Sequence, residues 1–231
     1  MPEPVKVVTT IALKAVLQQL EAEFSQATGR GIAMAFGPPS RAVRMVLDGE
    51  TADIVMTTPE GMEELTAAGL VAAETRRVVL RMIMGVAVRA GAPKPDISTV
   101  EGFKRAMRAA RSVTYANPAL GSPSAQHFLK VAEKLGIAEA VKAKALVSEG
   151  LVARHVAAGE AELAVQQLSE LLLVEGVEIA GPFPAEIQNV VPLAAAVHAR
   201  AAAPQAAAVL LDLIASPRAK AVIEKAGLRP A

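Results

Sequence analysis

The chain has 231 residues, 52% hydrophobic and 20% charged, enough to bury the core of one large domain or two small ones and too apolar for a disordered segment. Its 24 basic and 23 acidic residues leave a formal charge of +1, so no global field draws in nucleic acid or an anionic membrane; an aromatic content of 3%, without Trp, leaves little for stacking bases. The absence of Cys excludes disulfides and thiolate chemistry.

Strand and helix signals alternate along the chain. "VKVVTT" is a β-branched strand, followed by a helical stripe of Leu13, Val16, Leu17, Leu20 and Phe24 that ends at "TGRG". "GIAMAF" is the next strand, and a helix from Ser40 to Leu47 turns Val43, Val46 and Leu47 inward. "ADIVMT" is a third strand, then a helix runs from Pro59 to Gly69. "VVLRMIMGVAVRA" is a long apolar strand region closed by the turn "GAPKPD". "STVE" has the form of a capping box at Ser98 and Glu101 before a helix with Phe103 and Met107. The strand "SVTYA" leads through the loop "NPALGSPS" into the helix "AQHFLKVAEKLG". A helix around Leu151 to Ala158 precedes the strands "AELAVQ", "VEIAGPFP" and "NVVPLAAAVHA". Two helices finish the chain, the last with Ser216 as cap and Pro217 at its first position.

This alternation predicts an α/β fold of mostly parallel sheets with helices on both faces. Ligands in such folds sit beyond the carboxyl ends of strands, where helix N-termini point. The informative loops are therefore residues 9–13, 37–41, 57–59, 117–124 and 166–170. Two resemble anion cradles. "GPPS" puts a glycine turn and a hydroxyl before a helix carrying Arg41 and Arg44, and "NPALGSPS" offers Asn117, Gly121, Ser122 and Ser124. Free N–H groups at a helix start hold a carboxylate or oxyanion, although a serine there also serves as an ordinary cap. Arg41 is sharper, because a cation on a first helical turn gains nothing from the helix dipole. It is either solvated or meant for a bidentate pair with an anion. Lys14 repeats the arrangement more weakly.

His127, His155 and His198 are scattered without acidic partners at ligand spacing, so no metal site and no cofactor is expected. His127, on the first turn after "GSPS", is either a half-buried helix residue or an acid–base group. No GxGxxG, P-loop or GxSxG occurs. No apolar segment reaches the length of a membrane span, so no direct membrane insertion is expected. "MPEPVKVV" carries no leader pattern, which reads as cytoplasmic as written, or as periplasmic where a leader has been removed.

"ADIVMTTPEGMEELTAAGLV", "GVAVRAGAPKPDISTVEGFKRAM", "GEAELAVQQLSELLLVEGVEIAGPFPAEIQ" and "LIASPRAKAVIEKAGLRP" together resemble the molybdate-binding-protein-like family of ABC-transporter substrate-binding proteins, with the type II periplasmic-binding-protein fold. The resemblance spans nearly the whole chain. It implies two lobes, residues 1–83 plus 193–231 and residues 84–192, with a ligand cleft between them, and a transporter membrane component as partner.

The chain departs from the molybdate pattern at two places. Ala12 stands where a serine is expected after the first strand, and Pro38 and Pro39 occupy the second loop, where proline has no N–H to offer. Lys14 and Arg41 suit an organic di- or tricarboxylate better than a tetrahedral oxyanion such as molybdate or tungstate. The expected contacts are Thr10, Lys14, Ser40, Arg41 and Thr57 from the first lobe, and Asn117, Ser122, Ser124 and Gln167 from the second. The primary expectation is a binding protein. The alternative is an isomerase of unsaturated carboxylates, since one branch of the family resembles aconitate isomerase. Its catalytic residues are not assigned, and Glu170, His127 and Lys14 are the candidate bases. A transcription-regulator effector domain is disfavoured, because no helix-turn-helix segment precedes the first strand.

Overall fold

A computed structural model describes residues 2–120 and 122–231. Gly121, one of the expected loop donors, lies outside the described residues. The chain divides into two compact units, Met1–Arg81 with Val191–Ala231 and Met82–Val190.

The first unit holds a six-stranded sheet in the order β11-β4-β10-β3-β1-β2. Its strands are β1 (Val5–Thr9), β2 (Ile32–Phe36), β3 (Ile54–Thr57), β4 (Arg77–Met82), β10 (Val191–Val197) and β11 (Leu228–Pro230). β2, β1 and β3 run parallel, as the intervening helices α1 (Lys14–Thr28) and α2 (Pro39–Leu47) require, and β10 joins β3 antiparallel. α1 forms because Val16, Leu17, Leu20 and Phe24 make one buried stripe, and it stops at Gly29, whose φ of 68° is cheap only for glycine. α3 (Pro59–Ala67) is capped by Thr58, which accepts from the Gly61 N–H. α9 (Pro204–Ala215) and α10 (Ala219–Lys225) complete the unit.

α2 begins differently from the sequence expectation. Pro38 is its cap and Pro39 its first residue, so Ser40 is the second helical residue, exposed and without a capping bond. Pro39 is suited to that start because its fixed φ is already helical and its missing N–H would be unpaired anyway.

The second unit is built on a five-stranded sheet in the order β7-β6-β8-β5-β9. The strands are β5 (Met84–Arg89), β6 (Val113–Ala116), β7 (Ala145–Ser148), β8 (Leu163–Gln167) and β9 (Val177–Pro182). β7, β6 and β8 are parallel, while β5 runs antiparallel to both β8 and β9. Each sheet thus has a three-stranded parallel part flanked by one strand of opposite direction, β10 in the first and β5 in the second, and β9 again runs with the parallel strands of its sheet. Helices α4 (Val100–Ala109), α5 (Pro123–Lys134), α6 (Ala138–Lys142), α7 (Ala153–Ala157) and α8 (Leu168–Leu171) complete this unit.

Three of the five Phe residues and the single Tyr meet in the core of the second unit. Phe103 and Phe183 have ring centroids 4.7 Å apart, and Tyr115 and Phe128 are 5.3 Å apart, both edge-on. The long apolar run at 78–90 is two strands, since β4 and β5 belong to different sheets with Ile83 between them. Thr99, rather than Ser98, caps α4 by accepting from the Gly102 N–H at 3.1 Å. Ser98 is held instead by the Asp96 carboxylate, which accepts from both its N–H and its hydroxyl. No helix among the described residues is long and apolar enough to cross a membrane.

Asp53 closes the first unit. Its buried carboxylate accepts from the Lys6 N–H and from the Ala203 N–H, each at 2.8 Å, fastening the chain just before β3 to β1 and to the start of α9. Removing it leaves two N–H groups without partners, one of them fully enclosed. Asp53→Ala is expected to destabilise the protein by about 3 kcal/mol, read as a lower midpoint in urea denaturation.

Candidate functional site

In the first unit the carboxyl ends of β2, β1 and β3 lie side by side, because these strands are parallel neighbours in register. Thr9 ends β1 and Thr10 follows it. Both are buried, and neither hydroxyl has a hydrogen-bond partner among the described residues. Buried hydroxyls without partners are costly, which makes this strand end a candidate place for a polar guest. Thr10 also begins the short 3-10 turn Ile11–Leu13, after which Lys14, half-buried, opens α1. Ala12 is buried and contributes no hydroxyl.

The loop after β2 is tied to both neighbours. The Gly37 N–H donates to the Thr9 carbonyl at 3.0 Å, and the Thr57 hydroxyl donates to the Pro39 carbonyl at 3.2 Å. Thr57 is fully buried, so its hydroxyl holds the start of α2 in place. Arg41 is exposed and has no ion-pair partner among the described residues. Its side chain lies back over Gly37: a Cβ built on that glycine would fall 3.0–3.1 Å from Arg41 Cβ, Cγ and Cδ. Glycine at 37 therefore lets the arginine stem cross the loop at the carboxyl end of β2. The structure thus gathers Thr10, Lys14, Arg41 and Thr57 on one sheet edge, with Ser40 exposed on the first turn of α2.

The second unit repeats the arrangement with neutral groups. Asn117 follows β6. Its N–H donates to the Ser148 carbonyl at 2.8 Å and its side-chain oxygen accepts from the Ala119 N–H at 3.0 Å. Ser122 caps α5, accepting from the Ala125 N–H, and its hydroxyl lies 3.1 Å from that of the buried Ser124. Gln167 ends β8, the parallel neighbour of β6, and its buried side-chain oxygen has no partner among the described residues.

His127 is engaged elsewhere: its Nε2 lies 2.9 Å from the Ile187 carbonyl oxygen and its ring centroid 6.5 Å from that of Phe183. It is thus the packed helix residue of the two readings. Ser148 and Ser169, both with buried unpartnered hydroxyls, were not singled out from sequence. The only signal for Ser148 is the apolar pair Leu146–Val147 between a short helix and Gly150.

The Gln166 amide organises this edge. Its nitrogen donates to the Gly150 carbonyl at 2.8 Å, and its oxygen accepts from the Val152 N–H at 3.2 Å. Burial dominates the balance at Glu170 and, against the modest help of Gln166, raises its pKa to about 7.

A model of the family described as bacterial extracellular solute-binding protein matches residues 5–229. An aconitate isomerase from Pseudomonas sp is 32% identical over 236 aligned positions, covering 99% of this chain and 89% of that protein. Among solved structures, the periplasmic molybdate-binding protein of Azotobacter vinelandii superposes with a TM-score of 0.77 at 21% identity, covering 98% of this chain and 99% of that one. The sulfate-binding protein SubI of Mycobacterium tuberculosis gives 0.71 at 18% identity, covering 100% and 88% respectively. At these identities the two structures speak for the fold.

Glu170 gives the free protein a pH signature. Because the folded state holds its proton more tightly than the unfolded chain, this residue favours folding below the ordinary glutamate range. That advantage is lost as pH rises from about 4.5 to about 7. Glu170→Gln, which cannot ionise, is expected to raise the melting temperature at pH 8 and leave it nearly unchanged at pH 5. The difference has an upper bound of about 3 kcal/mol, measured by thermal denaturation at the two pH values.

Proposed function

The chain belongs to the bacterial extracellular solute-binding protein family, and on that footing we propose that it binds a small organic di- or tricarboxylate. The fold is that of type II periplasmic binding proteins. The observation that carries the proposal is the start of α2, where Pro38 and Pro39 withhold two N–H donors and Arg41 supplies a guanidinium folded over Gly37. A tetrahedral oxyanion needs many short donors around it, whereas a planar carboxylate takes a bidentate guanidinium pair.

Thr10, Lys14, Ser40 and Arg41 would serve the ligand from the first unit, and Asn117, Ser122, Ser124 and Gln167 from the second. Thr57 would act through its hold on Pro39. An ABC-transporter membrane component is the partner this reading supplies.

A second reading has specific support, because the 32% identical relative is an aconitate isomerase. Moving a double bond between carbons requires a group that accepts a proton and returns it. Of the three candidate bases, Glu170 has its pKa placed near neutrality, as that task needs. Conversion of cis- to trans-aconitate, followed by proton NMR, separates the two readings. Turnover that requires Glu170 supports the enzyme, and tight binding without turnover supports the transporter component.

Arg41→Ala is expected to weaken carboxylate binding at least about tenfold, the value of a charged hydrogen bond. Isothermal calorimetry measures it, and unchanged affinity removes Arg41 from the site. The same titration on Ser124→Ala tests the serine loop before α5, with weaker binding as the expected result.

A further inference from the structure

The opposite edge of the first sheet holds a cavity of about 360 Å³, large enough for a small ligand, that the carboxylate reading does not use. It lies wholly within the first unit, at the amino ends of β1 and β3. Topology gathers its walls. β1, β2 and β3 are parallel, so the chain entering each of them arrives at this edge. β10, antiparallel to β3, delivers its outgoing turn to the same place. Residues 3–6, Arg30, residues 51–53 and residues 200–203 therefore meet around one space.

The cations Lys6, Arg30 and Arg200 line this cavity from separate stretches of chain, together with the carboxylates of Glu3 and Asp53. None of these five makes an ion pair among the described residues. Lys6 Nζ donates to the Thr51 hydroxyl at 3.3 Å, and the Arg30 guanidinium donates to the Glu3 backbone carbonyl at 2.6 Å. Arg200 is exposed, and among the described residues it bonds only through its backbone N–H, to His198 Nδ1 at 3.1 Å. Asp53 is already engaged by the Lys6 and Ala203 N–H groups. An arriving anion thus finds cations whose short-range partners are neutral oxygens. α9 opens at this edge with Ala203 as a cap that makes no side-chain bond, so the positive end of its dipole adds to the same field. Pro4, Ala52, Ala202 and Ala203 supply the apolar part of the wall.

We propose that this cavity is a second anion site, separate from the strand ends that carry Thr10 and Arg41, and that it takes a phosphate dianion, free or as the ester of a small organic molecule. A phosphate group carries nearly two negative charges at pH 8 and turns its oxygens in several directions, which suits cations placed on separate stretches of chain. A guanidinium pairs with two of those oxygens at once. The apolar wall and the volume leave room for the organic part of an ester. The site needs nothing from the second unit. Its occupant would tie the start of β1 and the entry to β2 to the turn between β10 and α9, and so stabilise the first unit.

The test is calorimetric titration of the whole chain with inorganic phosphate and with glycerol 3-phosphate, at about pH 8 and constant ionic strength. The expected result is a binding event that survives Arg41→Ala and weakens at least about tenfold in Lys6→Ala and in Arg200→Ala, the loss of one charged hydrogen bond in each. Both side chains are exposed, and Lys6→Ala keeps the backbone N–H that holds Asp53, so both variants are expected to fold, which circular dichroism checks. Tighter binding of glycerol 3-phosphate supports the site with an ester as its ligand, and equal affinity supports it with free phosphate. Absence of binding to the folded wild-type protein overturns the inference. So does binding that Lys6→Ala and Arg200→Ala leave unchanged, or binding that Arg41→Ala abolishes. None of these results bears on the carboxylate reading, which its own titrations decide.

Discussion

The antiparallel pairing of β10 with β3 is the constraint on which the first unit depends. It sets Ala194 opposite Thr57 and Val197 opposite Ile54, and so joins residues far apart in sequence into one sheet. Asp53 reinforces the joint from the other end of β3, with one carboxylate oxygen on β1 and the other on the segment before α9. The second unit is inserted between the two stretches that this pairing unites. Without the pairing, β1, β2 and β3 would have no sheet on one side. The carboxyl ends carrying Thr10, Arg41 and Thr57 would then lose their common edge.

Within each unit the same physical device prepares the site. Parallel strands followed by helices bring several strand ends and helix starts to one edge, where hydroxyls and N–H groups outnumber their internal partners. The two units differ in charge. The first sets Lys14 and Arg41 on its helix starts, and the second has neutral amides and hydroxyls at its strand ends, with Glu170, whose pKa burial raises to about 7, on α8. An anion gains Coulomb energy from the first kind of edge and directional hydrogen bonds from the second.

The elements with strong local signatures were legible in the chain. The stripe Val16, Leu17, Leu20 and Phe24 ending at Gly29 specifies α1 because burial and a left-handed stop act within one helix. The parallel strands around residues 5–9, 32–36 and 54–57 follow from short apolar runs separated by helices. Local pattern failed where two readings were equally good nearby. Ser98 and Thr99 are both acceptable caps, and Asp96 decided between them by occupying Ser98. Residues 78–90 read as one strand because a continuous apolar run does not say which sheet each half will join. β7 and α8 are too short to carry a period.

The sequence alone determined the chemistry available at the strand ends: two prolines beside an arginine, serines before a helix, and a glutamate just past a glutamine pair. These are properties of residue type and neighbour spacing, which need no long-range contact. Only the tertiary structure decided what each group is free to do. Packing engaged the Thr57 hydroxyl with Pro39 and His127 with Ile187, left the Thr9 and Thr10 hydroxyls and the Gln167 side-chain oxygen without partners among the described residues, and raised the Glu170 pKa through burial. Burial and hydrogen-bond satisfaction are set by atoms distant in sequence, and no local pattern encodes them.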